Sequence, residues 1–87
     1  MNKLIAAIEN KKYKKDDLTY KQEWSNKACD DAIEVLKMFT DYEQIQNVLN
    51  IILNEKKKMY NHKDFDSYIR RMLSIKSMIQ SEKNLEV

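Results

Sequence analysis

Neither glycine nor proline occurs anywhere in the 87 residues. Average usage supplies roughly six of the first and four of the second in a chain of this length. Glycine is the usual residue where the backbone takes positive φ, and proline breaks helices and stiffens turns. A chain without either has little from which to build hairpins and nothing to interrupt helix propagation. It predicts α-helices joined by corners of Asn, Asp and Lys. The same absence removes P-loops, dinucleotide-binding fingerprints and nucleophile elbows, all of which need glycine at fixed positions.

Size and composition set the frame for those helices. At 10.5 kDa the chain makes one domain. A domain this small buries only about 60% of its unfolded surface, so self-association is a natural way to enlarge its core. Apolar residues make up 43% and charged residues 34%, too apolar for disorder and too charged for a membrane protein. Ile51-Ile52-Leu53 is the longest strongly apolar run, far below the ~20 residues of a spanning helix. Leu4 to Ile8 is too short for the core of a signal peptide and is followed by charges. The single Cys29 has no partner for an internal disulfide, which fits a reducing, cytoplasmic compartment. Sixteen basic and 14 acidic residues leave a net charge of +2, so charge alone commits the chain to neither nucleic acid nor a membrane surface. Residues 1–84 read as one helical domain. Leu85-Glu86-Val87 matches the opening of a protease-cleavable tag linker and carries no functional weight.

Hydrophobic periodicity places the helices. Leu4, Ile5, Ala7 and Ile8 cluster on one face of a short first helix. From Asn10 to Asp17 only Tyr13 is apolar, which predicts a solvated corner with Asp16 or Asp17 capping the second helix. From about Leu18 to Phe39, Trp24, Ala28, Ala32, Val35, Leu36 and Phe39 form one stripe, widened by Cys29 and Ile33. That width implies two neighbours, and Ala28 and Ala32 let one of them approach closely. Ser25 marks a candidate break.

Thr40-Asp41-Tyr42-Glu43 has capping-box spacing and predicts a helix from about Asp41 to Tyr60. Its length would be roughly 30 Å. Tyr42, Ile45, Val48, Leu49, Ile52 and Leu53 form its apolar stripe, and Lys56, Lys57 and Lys58 complement the dipole at its end. Asn61-His62-Lys63-Asp64 is the second corner, with Asn61 expected in the left-handed conformation that ends many helices. A last helix starts at Asp64 or Phe65 and reaches Gln80 or beyond, with Phe65, Tyr68, Ile69, Met72, Leu73, Ile75 and Ile79 as its stripe. Short corners force antiparallel neighbours. The expected fold is therefore an all-α bundle of three or four helices, the last three antiparallel, with Leu36, Phe39, Leu49, Ile52 and Met72 deeply buried.

Catalysis finds little support in these residues. Cys29 and His62 lie in different segments with no spacing that links them, and a Cys–His pair needs contact and an orienting group. Cys29 reads as a small core residue and His62 as a corner residue. Asp30-Asp31-x-x-Glu34, and Asp64 and Asp66 beside His62, lack the Cys/His set of zinc sites and the glycine of calcium loops. They read as helix-start and solvent-facing charges. No enzyme, cofactor or metal is expected.

Two surfaces remain as candidates for binding. Lys11, Lys12, Lys14 and Lys15 flank Tyr13; Lys56, Lys57, Lys58 and Lys63 surround Tyr60 and His62; Arg70 and Arg71 follow on the last helix. Basic residues interleaved with aromatics can track phosphates or an acidic partner. If both corners lie at one end of the bundle, these clusters merge. Ile33, Met38, Ile51 and Met78 fall at the edges of, or opposite, their stripes and are candidates for a protein interface.

The leading expectation is a small non-enzymatic regulator or inhibitor that binds another protein and forms a homodimer. The alternatives are a nucleic-acid-binding helical regulator using the lysine corners, and a small helical protein of the immunity type. In composition the chain resembles accessory proteins of phages and other mobile elements from AT-rich bacterial genomes.

Overall fold

The computed structural model describes residues 1–85. Its four α-helices are, in chain order, α1 (Asn2–Glu9), α2 (Tyr20–Met38), α3 (Tyr42–Met59) and α4 (Asp66–Leu85). A single 3₁₀ turn, Lys63–Phe65, precedes α4. No strand occurs among the described residues, so the fold is the all-α bundle that the composition predicts. Of the tag-linker match, Leu85 ends α4, and Glu86 and Val87 lie outside the described residues.

The helix starts differ in detail from expectation. Thr19, not Asp16 or Asp17, caps α2: its hydroxyl accepts the Gln22 N–H at 3.2 Å, and Gln22 Oε1 accepts the Thr19 N–H at 3.1 Å. This reciprocal pair satisfies two amide groups that a single Asp leaves half-served. At α3 the cap is Asp41 rather than Thr40, its carboxylate accepting the Gln44 N–H at 3.0 Å. A carboxylate there also complements the helix dipole. Ser25 does not break α2, which is continuous; its buried hydroxyl instead accepts a hydrogen bond from Arg71 Nε at 2.8 Å.

The corners need no glycine because the helices do not end in the left-handed conformation. Phe39 (φ −127°, ψ 149°) and Tyr60 (φ −123°, ψ 118°) leave α2 and α3 directly into extended backbone. No described residue has positive φ, so the left-handed role expected of Asn61 is absent. His62 opens the 3₁₀ turn by accepting the Asp64 N–H on Nδ1 at 3.1 Å.

α3 runs antiparallel to both long helices. Trp24 meets Tyr60 and Asp31 meets Lys56 across α2 and α3, while Tyr60 meets Phe65 and Gln46 meets Lys76 across α3 and α4. α2 and α4 therefore run parallel, and their contact is the most extensive in the fold. α1 packs on α2 and α4 but does not touch α3. Past its end, Lys12 pairs with Asp30 at 2.7 Å, and Tyr13 exchanges two hydrogen bonds with Asn26 at 2.8 and 2.9 Å. The first helix thus covers one side of the α2–α4 pair and α3 covers the other.

Leu36, Leu49 and Met72 are buried as expected, together with Ala28 and Ala32. Two positions expected in the deep core are not there: Phe39 and Ile52 are only half-buried. Leu73, assigned to the stripe of α4, is exposed. The reverse correction applies to Ile33, expected as a surface residue but only 7% exposed. It lies one turn beyond Cys29 on α2 and belongs to the same buried cluster as Leu4 and Ile8 of α1, which packs on α2.

Candidate protein-binding groove

Both ends of the α2–α3 seam are open. Each of these helices packs more extensively on α4 than on the other. Their outer faces consequently diverge, and the apolar residues along the divide are left partly uncovered.

The upper part of the seam is aromatic. Trp24 meets Tyr60, Phe65 and Tyr68 edge-on at centroid distances of 4.9, 5.1 and 6.1 Å, and Phe65 stacks on Tyr68 at 5.1 Å. Such pairs each contribute roughly 0.5–1.5 kcal/mol beyond burial. One side of Trp24 and Tyr60 lines a groove of about 550 Å³, bordered by Tyr20, Glu23, Lys27, His62 and Asp64. The lower part is aliphatic. Val35, Met38, Phe39, Val48 and Ile52 line a further 480 Å³, with Asp31 and Glu34 at the rim. Lys56 borders both parts and joins them into one seam.

An ionic waist separates the two apolar ends. Asp31 accepts the Tyr68 hydroxyl at 2.7 Å and faces Lys27 and Lys56 at 3.8 and 3.7 Å. Lys56 Nζ also sits 5.5 Å from the Tyr68 ring centre and 5.9 Å from that of Tyr60. Desolvation, reinforced by the Asp31 carboxylate, pushes the Tyr68 phenol well above its ordinary value of 10.0. A raised folded-state value means that the unfolded chain loses this proton first, so stability falls as pH rises above about 10. One such group changes the slope by about 1.4 kcal/mol per pH unit. Lys12, held protonated chiefly by its hydrogen bond to Asp30, adds a slope of the same sign. Tyr68→Phe is therefore expected to flatten, not abolish, the alkaline loss of stability in urea titrations; an unchanged slope counts against the buried phenol.

Cys29 and His62 occupy opposite kinds of environment. Cys29 is fully buried, and desolvation raises its thiol, opposed by the nearby Arg71 charge. His62 is exposed at the second corner, engaged with Asp64. Native Cys29 is expected to react with an aromatic disulfide reagent only as fast as the domain opens. Reaction at the rate of a free peptide thiol would contradict this burial. Among the described residues no three His, Cys, Asp or Glu side chains gather as a metal site, and no helix is long and apolar enough to cross a membrane.

The sequence-derived surface residues are dispersed. Met38 is 72% exposed and lines the lower groove. Ile51 is 62% exposed but is not among the groove's lining residues, and Met78 is half-buried against the core. The basic clusters do not merge as a whole. Lys12 is bound by Asp30 and Glu9, Lys56 by Asp31, and Lys58 by Glu55. Lys11, Lys14, Lys15 and Lys57 are exposed. Only Tyr13, Lys63, Arg70 and Arg71 converge, in a separate cleft between α2 and α4 that also holds Lys21.

Sequence patterns alone do not single out Lys21 or Trp24 as site residues, and they place Tyr60 in a basic cluster rather than in an apolar groove. The available signal is position: Trp24 and Tyr60 both lie near a helix end adjoining a corner, where one side of a large ring stays uncovered. Comparison with known proteins finds no matching family model, curated protein or solved structure.

Proposed function

We propose that this chain is a small non-enzymatic regulator or inhibitor that acts by binding another protein along the α2–α3 seam. The observation that carries the proposal is the seam itself, with Met38, Phe39, Val48 and Ile52 at one end and Trp24 and Tyr60 at the other. A cleft between two antiparallel helices suits an amphipathic helix, whose apolar residues recur every third or fourth position. The charges at the waist and rim supply register, since Lys27, Lys56, Asp31 and Glu34 each favour an opposite charge. A cytoplasmic setting accords with the buried free thiol of Cys29. The Lys- and Asn-rich composition supports a role as an accessory protein of a phage or mobile element.

Capture from a bacterial lysate, with and without nuclease, tests the proposal. A protein retained after nuclease treatment and from about 50 to 200 mM salt supports an apolar interface. Recovery of nucleic acid alone, lost as salt rises, overturns it. Sedimentation of the isolated protein at high micromolar concentration tests the second copy as occupant: a homodimer is the expected species if the seam closes on itself by two-fold symmetry.

A further inference from the structure

The cleft between α2 and α4 has a different chemistry. α1 ends at Glu9, so it covers only part of the α2–α4 divide, and beyond it a space of about 360 Å³ remains open beside Tyr13. A second space of about 280 Å³ adjoins it and shares Lys21, Ser67 and Arg70. On α4, Ser67, Arg70, Arg71 and Ser74 recur at i, i+3, i+4 and i+7, which sets them on one helix face.

Arg71 is the informative residue. It is half-buried, and its Nε is spent on the hydroxyl of Ser25, itself only 7% exposed. Ser25 occupies a core-facing position of α2 where an apolar side chain would add burial, and its hydroxyl holds the guanidinium in place. The two terminal nitrogens of Arg71 have no protein acceptor among the described residues. Of the other half-buried cations, Lys12 and Lys56 have carboxylate partners, Lys76 is held by the Asn50 side chain, and Lys83 lies in the last turn of α4, where it complements the helix dipole. Arg71, Arg70, Lys21 and Lys63 form no ion pair among the described residues. Against these four cations the cleft has one carboxylate, Asp66, at its outer end. A partly desolvated cation without a counter-charge is unfavourable, and an anionic ligand relieves that.

We infer that this cleft binds a polyphosphate chain, a di- or triphosphate, free or as the tail of a nucleotide. Guanidinium groups and hydroxyls are donors suited to phosphate oxygens, and arginine matches them two at a time. Because the donors are divided between two adjoining spaces, with Arg71 lining one, Lys63 the other, and Lys21, Ser67 and Arg70 both, a chain of two or three phosphates has more of them within reach than a single phosphate does. An extended nucleic-acid track is disfavoured because Lys56, Lys57 and Lys58 belong to α3, away from the cleft.

Titration of the ¹⁵N-labelled protein with tripolyphosphate, ATP, AMP and a single-stranded oligothymidylate at about 50 mM salt tests the inference. Tripolyphosphate and ATP are expected to shift amides of Ser25, Ser67, Arg70, Arg71 and Ser74, and AMP to bind at least tenfold more weakly. Arg70→Gln, at an exposed position, and Arg71→Gln should each weaken tripolyphosphate about tenfold to a hundredfold. Asp66→Asn should tighten it, a gain that misfolding does not mimic, and Lys57→Gln should leave it unchanged. Absence of shifts with tripolyphosphate overturns the inference. So does tighter binding of the oligonucleotide with equal shifts at Lys11, Lys14 and Lys15, which would assign a nucleic-acid surface instead.

Discussion

Ile8→Ala is expected to lower the unfolding free energy by about 2–5 kcal/mol, the range for truncating a large side chain in a packed core. α1 has eight residues, too few to be helical alone, so its order depends on docking. Only Leu4 and Ile8 of this helix are buried, and Ile8 is fully enclosed. Removing it deletes one of the two buried side chains that dock α1, and loosening α1 opens the core cluster that holds Ile33 and Cys29. In a domain of this size that is a large part of the total stability. A fall in melting temperature of roughly 10–30 °C is expected, with faster reaction of Cys29 as the linked signature. A loss below about 1 kcal/mol would mean that α1 does not contribute to the core as described. Ile51→Glu, on a side chain already 62% exposed, is the matched control and should change stability by less than about 0.5 kcal/mol.

Helix positions are legible in the sequence because the apolar stripes are strong: Ile45, Leu49 and Leu53 on α3, and Tyr68, Met72, Ile75 and Ile79 on α4, are buried at helical spacing. The depth of each stripe is not, because periodicity reports the face of a helix and not what lies against it. Ile33 and Phe39 illustrate both errors. Ile33 sits at a stripe edge yet is buried, in one core cluster with Leu4 and Ile8 of α1. Phe39 sits within its stripe yet is half-open, because the backbone leaves α2 at that residue and α3 diverges from it. The chemistry of the α2–α4 cleft is half legible. Arg70 and Arg71 stand out as an adjacent pair, but Ser25 marks a candidate break and no pattern singles out Lys21. The short corners imply that α2 and α4 run parallel, but no local pattern encodes which of their faces meet, the choice that brings Ser25, Lys21, Arg70 and Arg71 to one cleft.

Met38→Glu is expected to reduce partner binding along the α2–α3 seam about thirtyfold or more, the loss typical of an interface hot spot. Met38 contributes little to the fold, since 72% of it is exposed, so the variant should remain as helical and nearly as stable as the parent. At the seam it stands beside Phe39, Val48 and Ile52. An amphipathic helix seated there would cover it, and a carboxylate in its place would lose water beside Glu34, one turn back on the same helix face, while Lys56, the one cation lining the lower groove, is already paired with Asp31. Met38→Leu keeps the apolar volume and should retain most of the affinity. Ile51→Glu adds the same charge outside the groove lining and should bind as the parent does. Calorimetry with the captured partner separates the cases. Equal losses in Met38→Glu and Ile51→Glu would point to net charge rather than the seam, and no loss in either would remove the lower groove from the interface.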